Sequence, residues 1–89
     1  MENPELDAKA AAFSAAVRDQ LRRACERRGL TRGELRAEVG EIADKILTGA
    51  SDLDIAELQR VCPMLGLDLR EVIREAYRIT ERDSGGNSP

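Results

Sequence analysis

The chain has no histidine and no tryptophan, and only two cysteines, three prolines and two aromatic residues among its 89 positions. Without histidine the commonest general base and metal ligand is missing. Cys25 and Cys62 lie far apart and neither has a CxxC partner, so neither a zinc set nor a disulfide framework can be assembled, and two buried free thiols are expected. No thiol is paired with an imidazole, no glycine loop is built to cradle phosphate, and no carboxylate pair reads as buried. A nucleophile, a base and an oxyanion site are therefore never supplied together, and the sequence reads as a non-enzyme with no metal and no cofactor. No apolar run approaches the ~18 residues of a membrane span. The start, Met1 to Asp7, is polar and acidic where a signal peptide is basic, so no membrane partner is expected and the cytoplasm is the expected compartment.

The scarcity of aromatics, Phe13 and Tyr77 alone, leaves Leu, Ile, Val and Ala to form the core, the residues that fill interhelical space in small bundles. The length allows one core and one domain, assigned to residues 1–82; the polar run from Asp83 to Pro89 offers nothing to bury and is expected to be a disordered tail. Four glycines, Gly29, Gly40, Gly49 and Gly66, each close a segment whose apolar residues recur at helical spacing. The spacing predicts five helices and no strand, an all-α domain with a long first helix from about Asp7 to Arg28. Its inner face is Phe13, Val17, Leu21, Ala24 and Cys25.

Thr31 with Glu34 forms a capping box ahead of Leu35 and Val39. Asp54 with Glu57 opens a helix carrying Ile55, Leu58, Val61, Cys62 and Leu65, and Asp68 with Glu71 opens the last one, with Leu69, Val72, Ile73, Ala76 and Tyr77. Between them, Glu41 to Thr48 buries Ile42, Ala43, Ile46 and Leu47. Pro63 removes the bond its amide would give to the Gln59 carbonyl and predicts a kink or break in that helix's last turn. No internal repeat is apparent.

The stretch Leu21 to Leu35, then Ile46-Leu47-Thr48-Gly49, then Leu58 through Gly66-Leu67-Asp68-Leu69-Arg70-Glu71-Val72-Ile73, resembles the phage-repressor-like (lambda-repressor-like) helix-turn-helix family over roughly residues 13 to 76. The resemblance implies a compact five-helix domain that binds double-stranded DNA as a transcriptional regulator, paired as a homodimer so that two copies meet a palindromic operator. The departure is in the middle. Gly40 and Gly49 enclose only eight residues, fewer than the family pattern, so the turn before the recognition helix is shortened or the two helices merge into one bent rod.

Charge is divided along the chain, whose formal net value is -3. Arg18 to Arg36 carries seven arginines against three acids, whereas from Ala37 to Gln59 the single Lys45 faces six acids. In the family, the segment after the turn enters the major groove, and here it offers Asp44, Lys45 and Thr48, with Lys45 the best base reader. The resemblance places Arg32, at the start of the second helix, on phosphate, with Arg36 one turn further. A solvated helix face accounts for both equally well. Two carboxylates, Glu41 and Asp44, oppose phosphate, although either can accept from cytosine. A second assignment therefore stands beside the first: a protein-interaction module, antirepressor or accessory factor, that offers its acidic stretch to a basic protein. On the last helix, Ile73, Ala76, Tyr77 and Thr80 form a stripe that either packs internally or meets a second copy.

Overall fold

A computed structural model describes residues 4–49 and 51–85, and in it the chain is five helices: α1 (Pro4–Arg27), α2 (Arg32–Val39), α3 (Ile42–Thr48), α4 (Ile55–Met64) and α5 (Leu69–Gly85). The all-α class and the long first helix follow the sequence reading, with α1 starting a turn earlier than its periodicity suggests. α5 continues three residues into the polar run, and residues 86–89 of the expected tail lie outside the described residues. Among the described residues, no helix is long and apolar enough to cross a membrane.

The helix starts are chemical. Thr31 Oγ1 accepts from the Glu34 amide at 3.1 Å while the Glu34 carboxylate accepts from the Thr31 amide at 2.8 Å, and Asp54 and Glu57 repeat the reciprocal pair at 2.8 and 2.9 Å. Such pairs satisfy two of the amides that a helix start leaves open. At α5 the Asp68 carboxylate accepts from the Arg70 amide, while Glu71 turns forward to Arg74.

The helix ends repeat one device. Leu30 N–H donates to the Cys25 carbonyl and Gly29 N–H to the Glu26 carbonyl; Leu67 N–H donates to the Cys62 carbonyl and Gly66 N–H to the Pro63 carbonyl. These are the paired bonds of a Schellman closure. The sequence echoes itself here, with Cys25, Gly29, Leu30 and Glu34 matched in order and spacing by Cys62, Gly66, Leu67 and Glu71, so a short repeat is present where none was expected. Pro63 does not break α4, which runs one residue further and then closes in this way.

One cluster forms the core, with Leu21, Leu35, Ala43, Ile46, Val61, Cys62, Val72 and Ala76 almost wholly removed from water. Each large aliphatic side chain buried in this way contributes about 1.5–3 kcal/mol of transfer free energy. α1 is the strut: it packs on α5 and on α3, while α2 packs on α3 and α4 on α5. Phe13 meets Tyr77 and, further along α1, Gln20 Nε2 donates to the Val72 carbonyl at 2.9 Å, so α1 and α5 run antiparallel. Ile55 departs from its expected place. It is 56% exposed and lines a surface groove with Phe13, Leu53 and Leu58.

Candidate nucleic-acid interface

α2 and α3 are separate helices joined by Gly40 and Glu41 alone. The bent rod does not form. Gly40 takes φ 64° and ψ -135°, a combination few residues other than glycine adopt, and its N–H closes α2 on the Arg36 carbonyl at 2.8 Å. Glu41 then enters α3 in helical geometry without capping it by its side chain. At the far end Gly49, at φ 70°, lies under the Arg18 guanidinium of α1 so closely that a β-carbon there would collide with it. The short α3 is thus fixed at both ends, by a two-residue turn and by contact with α1.

The structure brings the five side chains assigned to DNA onto this helix pair, but most are already engaged. Arg32 Nη2 stands 3.0 Å from Asp44 Oδ1, an ion pair between the start of α2 and the first turn of α3. Thr48 Oγ1 donates to the Asp44 carbonyl at 2.7 Å, one turn back in its own helix. Lys45 Nζ donates to Glu57 Oε2 of α4 at 2.7 Å. That bond raises the Lys45 pKa above its ordinary value, against a smaller opposing effect of desolvation and with help from the charges of Glu57, Asp54 and Glu41. The same bond, followed by the Asp54 amide, holds the Glu57 carboxyl below its ordinary value. Lys45, expected to be the best base reader, is therefore clasped between α3 and α4. Arg36 is exposed, has no ion pair among the described residues, and lines a polar cleft with Glu38, Gly40, Glu41, Glu57 and Arg60.

Glu57 is the residue whose second task the sequence reading missed. Its capping role was legible three residues from Asp54, but its hold on Lys45 spans a loop and has no local spacing. The available signal was compositional: a lone cation among six acids finds a carboxylate partner.

The stripe on α5 divides. Ala76 is fully buried, Thr80 nearly so with its hydroxyl donating to the Ala76 carbonyl, and Ile73 is half-buried. Ala76 therefore packs inside the domain, because α1 lies across that face of α5, and Thr80 shows only a small part of itself, at the wall of the groove beside Tyr77. Tyr77 is 57% exposed, its ring 4.8 Å from that of Phe13 at 57°. Phe13 lies between two apolar grooves, one of about 510 Å³ running to Tyr77 and one of about 280 Å³ running to Leu53 and Ile55. Lys9 and Glu81 border the larger groove with opposite charges.

Cys25 and Cys62 are buried free thiols, and burial is the main cause that raises both pKa values. A protonated, enclosed thiol is a poor nucleophile. No known family model, curated protein or solved structure matches the chain.

Proposed function

We propose that this chain is a DNA-binding transcriptional regulator of the phage-repressor type, acting as a homodimer. The observation that carries the reading is the α2–turn–α3 pair, an exposed two-helix corner that gathers Arg32, Asp44 and Thr48 at one edge with Arg36 a turn along α2. Helix pairs of this kind place phosphate donors on the first helix and base-reading side chains on the second. Arg32 and Arg36 are the phosphate contacts, and Asp44 and Thr48 lie where base edges are reached. Dimerisation uses Tyr77, Phe13 and the rim of Ile73. Lys9 and Glu81 are the charges that a two-fold interface can pair across the axis.

A second reading has its own support. Two cations of this corner, Arg32 and Lys45, are both bound to carboxylates, and Glu38 and Glu41 are exposed on the same helix pair. A surface so neutralised fits a protein-interaction module that offers its acids to a basic protein.

Fluorescence anisotropy of the protein with labelled duplex from its own locus separates the two. Under the DNA reading, binding survives physiological salt and prefers that locus to scrambled duplex, and Arg32→Ala or Arg36→Ala weakens it and flattens the salt dependence by about one phosphate each. Absence of binding at low salt transfers the function to the acidic face. Tyr77→Glu is expected to turn the dimer into monomer in sedimentation equilibrium; a wild-type chain that sediments as a monomer at high concentration removes the dimer from the proposal.

A further inference from the structure

Arginine presents its planar fork of donors to carboxylate and phosphate in the same way. Asp44 holds a carboxylate oxygen 3.0 Å from Arg32, the residue proposed to meet the DNA backbone. The two side chains come from different helices, so no short sequence spacing forces them together, and they remain wet, at 61% and 35% exposure. Lys45 and Glu57 offer the contrast within the same corner. Those side chains are 29% and 19% exposed, and Glu57 is tied a second time to the Asp54 amide. An exposed pair is held by little and exchanges with other ions, and a half-buried pair with a further hydrogen bond is harder to displace.

Building on the DNA-binding reading, we propose that Asp44 is a specificity-setting residue that occupies the place of a DNA phosphate on Arg32 and must be displaced before the duplex can seat. Its carboxylate competes with every phosphate for one guanidinium. After displacement it stays beside the backbone as a repelling charge unless a base-edge donor, such as the cytosine amino group, donates to it. A duplex that offers only phosphates therefore gains little. A duplex whose sequence engages Asp44 recovers the loss, so one side chain penalises non-specific binding and relieves the penalty at a matching site.

The test is a double-mutant cycle, read by anisotropy on a labelled scrambled duplex and on duplex from the protein's own locus, between about 50 and 200 mM salt. Asp44→Asn is expected to tighten binding to the scrambled duplex by roughly threefold to tenfold, the scale of one exposed ion pair plus one carboxylate removed from beside phosphate. The same variant should bind with a steeper salt dependence and show a smaller preference for the native locus. In an Arg32→Ala background the gain should shrink to the part that comes from removing a carboxylate from beside phosphate, because no guanidinium remains to be released. Thermal melts confirm that each variant folds, and Asp44→Ser replaces Asp44→Asn should the latter not fold.

An equal gain in both backgrounds means that Asp44 acts only through general repulsion, which overturns the competition; no gain at all overturns it as well. Both of those results leave wild-type binding measurable and the DNA reading intact. Failure of all four proteins to bind either duplex at the lowest salt overturns the DNA reading itself and this inference with it.

Discussion

Glu57 divides its oxygens between the Asp54 amide, at 2.9 Å, and the Lys45 ammonium, at 2.7 Å, so one carboxylate both closes the start of α4 and ties it to α3. The direction of each pKa fixes how that tie responds to pH. Glu57 is held below its ordinary 4.5, so its contribution is complete above that value and is lost as pH falls through the depressed one. Lys45 is raised above 10.5, so its contribution is complete below that value and is lost as pH rises through the raised one. Glu57→Gln keeps a capping oxygen but removes the charge. The gap in Tm between wild type and this variant is expected to be widest near neutral pH and to close in acid and in strong alkali, as followed by circular dichroism. A gap that does not move with pH means the ion pair adds no stability. None of this could be read from residues 45 and 57 in sequence, because their proximity depends on how the loop between α3 and α4 returns the chain.

What was legible at the level of helices is what depends on near neighbours in the chain. The capping boxes at Thr31 and Asp54, the glycines at the ends and the apolar spacing are set by bonds within a few residues, and the five helices follow from them. The misplacements have the opposite origin. Ile55 reads as core by periodicity yet is mostly exposed at the wall of a groove, and the stripe with Ala76 and Thr80 stays open between internal packing and a second copy until α1 is laid against it. Asp54→Ala is expected to cost about 1 kcal/mol in urea denaturation, the usual loss of a capping oxygen. Gly49→Ala should cost more. A left-handed residue with a β-carbon costs about 1–2 kcal/mol, and the added carbon also displaces the Arg18 guanidinium. The guanidinium is the far end of a flexible side chain and swings aside at little cost, so Arg18→Ala in the same chain should recover little; full recovery would mean the backbone angle carries no strain.

Across the whole molecule, α1 joins the two ends of the fold. Its later turns support α3 and the corner proposed to meet DNA, while Phe13, further toward its start, lines the apolar groove proposed for the second copy. Both proposed contacts therefore share one rigid rod, and a dimer made at Tyr77 sets the spacing of the two α3 helices without any further joint. Cys25 and Cys62 each accept the leucine amide that closes a helix corner, one between α1 and α2 and the other between α4 and α5. Both thiols are enclosed, so a thiol reagent reaches either one only while its corner is open. The chain thus carries two clocks, one at each corner. Alkylation followed by mass spectrometry is expected to mark both at the same rate if the domain opens as a whole; two different rates would show that one corner opens while the other stays shut.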